Sequence, residues 1–187
     1  LAGIFSGSGS AIISTTTSGK SAFTQDNISI LNNSISSSQN GILIHGYQTS
    51  PYNSNFTITD NSIGSDESSS YIGFIGINAN YIVNGTNSIS RNTIFNIKTT
   101  LTNPTGIRAV ALLNLDLSRN NIYSIWYTGT SGYGGKGIDF MSAAASANAI
   151  ISNNIVSDIR GDGWSSSSSD VIAGIRLGFS SGWTATT

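Results

Sequence analysis

Five times along the chain one octapeptide design recurs, and a recurring corner narrows the possible folds more than any other feature here. The copies read SILNNSIS (Ser29 to Ser36), TITDNSIG (Thr57 to Gly64), SISRNTIF (Ser88 to Phe95), DLSRNNIY (Asp116 to Tyr123) and AIISNNIV (Ala149 to Val156). The fifth position is always asparagine: Asn33, Asn61, Asn92, Asn120 and Asn153. Three residues earlier stand Ile30, Ile58, Ile89, Leu117 and Ile150; two residues later stand Ile35, Ile63, Ile94, Ile122 and Ile155. Alternate residues of a strand face opposite ways, so each copy reads as a short strand, a tight bend and a second short strand with its aliphatic side chains on one side. Asparagine suits the bend because it tolerates left-handed backbone. Stacked carboxamides would also donate and accept along the column, satisfying polar groups beside a core.

A second column pairs glycine with isoleucine at Gly41-Ile42, Gly76-Ile77, Gly106-Ile107, Gly137-Ile138 and Gly174-Ile175, with Gly3-Ile4 as a sixth. The asparagines recur at intervals of 28, 31, 28 and 33 residues. Variable Gly-, Ser-, Asn- and Thr-rich loops therefore separate constant strands, the pattern of a stacked solenoid. No amphipathic stretch of helical length is present, leucine-rich repeats would need leucine where isoleucine stands, and a propeller blade runs to about 40 residues. The expected fold is all-β: a right-handed parallel β-helix of about five to six coils, each with three short strands. Residues 1–187 form a single domain, expected to be part of a longer solenoid.

Composition removes several functions. Only 9% of residues are charged, against a usual share of about a quarter. The net charge of −1 comes with no basic run, so the footprint that neutralises a phosphate backbone is missing and no nucleic acid partner is expected. With no cysteine there is no disulfide, thiolate metal site or cysteine nucleophile. No apolar run approaches the roughly 18 residues that cross a bilayer, so membrane insertion is not expected. Leu1 opens the chain without a signal-peptide pattern, which reads as a mature product or an internal piece.

With both columns in view, the chain resembles the right-handed parallel β-helix repeat proteins of the pectate-lyase-like superfamily, whose rungs read roughly GI…NxI. The resemblance covers nearly the whole chain, from about Gly3 to Phe179. More narrowly, NNIVSDIRGDGWSSSSSDVIAGIRL is similar to rungs of secreted or surface proteins of Bacteroidetes exported by the type IX system, without their C-terminal sorting domain. The resemblance implies an extracellular or cell-surface setting. It specifies fold far better than activity.

Chemistry is expected beside the Gly-Ile strand. If each isoleucine faces inward, Leu43, Asn78, Arg108, Asp139 and Arg176 form one outward column, and His45, Asn80, Val110, Met141 and Gly178 another two residues on. Arg108, Asp139 and Arg176 are the catalytic candidates, although an exposed Arg-Asp-Arg ladder explains them as well. Hydrolysis with two carboxylates needs partners about 5 to 10 Å apart, and Asp139 stands alone on that face unless Asp162 or Asp170 reaches it from a loop. Lyases of the resembled fold use calcium-binding carboxylates, and Asp66-Glu67 reads instead as a solvated loop tip, so neither metal nor cofactor is expected. His45 is the only histidine and has no G-x-S-x-G elbow beside it. Arg160 to Asp162 spells RGD, which is unremarkable by chance. Trp126, Tyr127, Tyr133 and Trp164 precede Gly-Ile strands of neighbouring coils; they either offer flat faces to sugar rings or cover the core.

Two functions are expected from these residues. The first is a non-catalytic structural or adhesive segment of a secreted or surface protein, contacting a polysaccharide or cell-surface glycan. The alternative is a polysaccharide lyase or glycoside hydrolase with part of its active site outside this chain.

Overall fold

The computed structural model describes residues 10–15, 26–46, 54–142, 147–163 and 170–179. Parallel strands lie on three faces of a solenoid. The first face stacks β1 (Ser10–Thr15), β4 (Asn40–His45), β7 (Ile75–Asn80), β10 (Thr105–Val110), β13 (Lys136–Ser142) and β16 (Ala173–Phe179). The second stacks β2 (Ser29–Leu31), β5 (Thr57–Thr59), β8 (Asn87–Ser90), β11 (Leu115–Ser118) and β14 (Ile150–Ser152). The third stacks β3 (Ser34–Ile35), β6 (Ser62–Ile63), β9 (Thr93–Thr99), β12 (Asn121–Tyr127) and β15 (Ile155–Arg160). Six strands on one face do not make six turns. β1 and β16 stand at the two ends of the first face, and the spiral makes about four turns rather than five to six.

Isoleucine builds the interior. Ile58, Ile63, Ile77, Ile89, Ile94, Ile107, Ile122 and Ile138 are completely buried in one continuous aliphatic cluster. Each such side chain contributes about 1.5–3 kcal/mol on leaving water, and its stiff branched Cβ packs well on a pleated surface. The Gly-Ile column lies in register from Ile42 through Ile77, Ile107 and Ile138 to Ile175. Gly3-Ile4 falls outside the described residues, and Ile12 pairs with Ile42 in that column instead. Glycine precedes the isoleucine because the coils nearly touch there: a Cβ on Gly106 would sit 2.6 Å from the carbonyl oxygen of Gly137 in the next coil.

The asparagine ladder is continuous and polar. Asn33 Nδ2 donates to Asn61 Oδ1 at 2.9 Å, Asn61 to Asn92 at 2.9 Å and Asn92 to Asn120 at 3.0 Å. Each Oδ1 also accepts the backbone N–H of the preceding coil's asparagine. The fifth member is Asn154, not Asn153: Asn120 donates both its N–H and its Nδ2 to Asn154 Oδ1. Strand pairing agrees, setting Leu117 beside Ile151 and Ile122 beside Val156. A slip of one residue reverses every side chain of a strand, so Ile150 and Ile155 face solvent at 63% and 64% exposure.

Asparagine also has a different duty from the one expected of it. The left-handed residue is the one before the ladder position, namely Asn32, Asp60, Arg91, Arg119 and Asn153, each with φ between 55° and 57°. The preceding residue turns the corner, and the ladder asparagine bridges the coils. A second ladder lies six residues upstream at Asn27, Asn55, Asn114 and Asn148, all with positive φ. There Asn55 Nδ2 donates to Asn27 Oδ1, and Asn148 Nδ2 to Asn114 Oδ1, at 3.2 Å each. No helix among the described residues is long and apolar enough to cross a membrane.

Candidate functional site

On the outer side of the first face, parallel pairing aligns Leu43, Asn78, Arg108, Asp139 and Arg176, and likewise His45, Asn80, Val110, Met141 and Gly178. Within the first column the charges divide unevenly. Arg176 grips Asp139 from one side, its Nε and Nη2 donating to the two carboxylate oxygens at 2.8 Å each. A planar fork of this kind satisfies both oxygens at once. Asp139 is buried, and among the described residues its ion pair is with Arg176; Arg108, its neighbour on the other side, forms none with it.

Sequence reasoning overlooks Lys136. It begins β13 and is 1% exposed, beside Thr105 and in the same column as Ile75. Burial pushes its amine down to about 8. Asp139 and Asp170 oppose that shift by favouring the charged form, while Arg176 and Arg108 add to it. Its Nζ donates to the Gly134 carbonyl at 3.4 Å. Asp170 does reach this cluster from its loop; it is buried and accepts from Asn103 Nδ2 at 2.9 Å. Asn103 Oδ1 in turn accepts from Gly134 N. Asp162 does not join and instead accepts from Gly132 N. The site is therefore a covered cluster of three cations and two carboxylates.

Three of the four aromatic candidates lie within the described residues, and each has its ring engaged by neighbouring side chains. On the third face Trp126 pairs with Lys98 in the coil below and Arg160 in the coil above. Lys98 Nζ lies 4.0 Å and Arg160 Cζ 4.3 Å from its ring centroid. Cations from both neighbouring coils cover the ring that a sugar would need. Trp126 Nε1 donates to the Asp158 carboxylate at 3.1 Å. Burial pushes the Asp158 carboxyl up, but hydrogen bonds from Ser124, Arg160 and Trp126 hold it below the usual range. Tyr127 is buried, meets Tyr133 edge-on at 5.4 Å and accepts from Ser131 N. Trp164 lies outside the described residues. Phe95 and Tyr123, not singled out by sequence, stack at 5.4 Å in adjacent coils of the third face.

The remaining residues serve local structure. His45 packs edge-on to Tyr81. Asp66 accepts from Asn96 Nδ2, next to a 3-10 turn at Ser68–Ser70. In the RGD tripeptide, Arg160 is committed to Trp126 and Asp158, and Asp162 to Gly132. No three His, Cys, Asp or Glu side chains gather as metal ligands among the described residues. No family model matches the chain, and no curated protein or solved structure matches it.

Proposed function

We propose that the chain is a non-catalytic structural or adhesive segment of a secreted or cell-surface protein, its stacked coils serving as a rigid scaffold. One observation carries this reading: two of the groups with catalytic or binding chemistry are spent on contacts inside the fold. Asp139 lies in the fork of Arg176, and Trp126 lies between two cations. The GI…NxI rungs, similar to those of pectate-lyase-like and type IX-exported surface proteins, support the extracellular setting. Incubated with pectins, alginates and related glycans, the protein should leave every polymer intact.

The alternative, a polysaccharide lyase or glycoside hydrolase, draws support from one arrangement. Asp139 and Asp170 both act on the buried amine of Lys136, and titratable groups with displaced pKa values cluster at catalytic sites. Polymer cleavage that disappears in Asp139→Ala would replace the first reading with this one.

A further inference from the structure

Arg108 is the unexplained residue of the outer cluster. Its side chain makes no hydrogen bond or ion pair among the described residues, where its enclosed Nε is left without a partner. A buried donor left unsatisfied is costly and uncommon in a folded protein. In its register partner Asn78, Oδ1 accepts from Asn80 Nδ2 at 2.9 Å, which orients the amide, and none of the described residues accepts from Asn78 Nδ2. Two neighbouring coils thus present donors with no acceptor. The charge balance points the same way. The charges acting on Lys136 are those of Asp139, Arg176, Asp170 and Arg108, three cations with two carboxylates, and Asp139 is already taken by Arg176. One positive charge is left over, and it sits on Arg108.

We propose that Arg108 and Asn78 form a binding site for one organic carboxylate with an apolar arm. The guanidinium fork matches a planar carboxylate, and a single negative charge balances the surplus where a doubly charged phosphate would exceed it. Val110 lies two residues beyond Arg108 on the same outward side. Met141 is beside Val110, its sulfur 3.6 Å from Arg176 Nη2. These two side chains supply apolar contact next to the charge, which favours a hydrocarbon arm over a hydroxylated one. The site is independent of the scaffold reading, since a rod can carry a ligand without turning it over.

The test is a titration of isotope-labelled protein with hexanoate, acetate and chloride at constant ionic strength, following the Arg108 Nε–H resonance. Hexanoate should shift it saturably at millimolar concentration, several-fold more tightly than acetate because of its buried methylenes. Arg108→Gln should abolish the response seen at neighbouring amides, and Asn78→Ala should weaken it several-fold. A response to chloride equal to that for hexanoate, or none up to about 100 mM, overturns the proposal. Thermal unfolding is the second measurement. A residue kept for a ligand can be lost cheaply, so Arg108→Gln should unfold at the wild-type temperature or above it. A fall of several degrees would make Arg108 a structural residue and overturn the site.

Discussion

An inner coil and the last coil are built alike but protected differently. In β13, Ile138 and Phe140 are 0% and 1% exposed; their register partners in β16, Ile175 and Leu177, are 47% and 48% exposed. A Cβ on Gly137 would collide with the next coil, whereas one on Gly174 meets nothing closer than Val156 at 3.7 Å. Position in the coil is the same and both members of each pair are apolar or both glycine, so the difference comes from having a neighbour on both sides or, among the described residues, on one. Stability in a solenoid belongs to the junction between coils.

The largest test of that comparison sets Phe140→Ala against Leu177→Ala. The inner change opens a cavity and should cost about 3–5 kcal/mol, the outer one about 1 kcal/mol, in denaturant unfolding. Equal costs would break the comparison. Next come the ladder ends. Asn92→Ala removes two bonds it accepts and those it donates to Ile58 and Asn120, for an expected loss of about 3 kcal/mol. Asn33→Ala should cost about 1 kcal/mol, because none of the described residues donates to its Oδ1. Asn154→Ala should fall between, since its Oδ1 holds both donors of Asn120; a cost no greater than that of Asn33→Ala would show that the ladder's direction is energetically silent.

Gly106→Ala should cost about 2 kcal/mol through its clash with the Gly137 carbonyl, and Gly174→Ala less than about 1 kcal/mol. Matching melting temperatures for the two would break the close-approach account. A pH-dependent effect belongs to Lys136, whose amine titrates near 8 when folded and near 10.5 otherwise. Between those values the unfolded chain binds more protons, so stability rises with pH through the window, by at most about 3 kcal/mol. Lys136→Met should lack the rise, so wild type should gain on the variant between urea titrations at about pH 7.5 and 10. A gap that does not change with pH would place the amine in water.

The register was legible wherever a coil gave one choice. Four copies carry a single solution, and their asparagines and isoleucines stack as the pattern requires. The fifth carries consecutive isoleucines, Ile150 and Ile151, before consecutive asparagines, Asn153 and Asn154. Either phase puts an aliphatic residue three before and two after an asparagine; hydrogen bonding to Asn120 decides between them. The second ladder was available at a constant offset of six residues, with Thr86 as its one exception. Lys136 was not, because its column mates Asn40, Ile75, Thr105 and Ala173 share no chemistry.

The first asparagine ladder has a lasting electrical consequence. Each Oδ1 from Asn61 to Asn154 accepts from the amino-terminal coil, and each Nδ2 from Asn33 to Asn120 sends a hydrogen to the carboxy-terminal one, so the small dipoles of these contacts add instead of cancelling. The column therefore runs from a partly negative tip at Asn33 to a partly positive tip at Asn154, as aligned peptide groups do in a helix. A tower of this kind has a built-in up and down, and another tower continuing the same column would have to set its negative tip against this positive one.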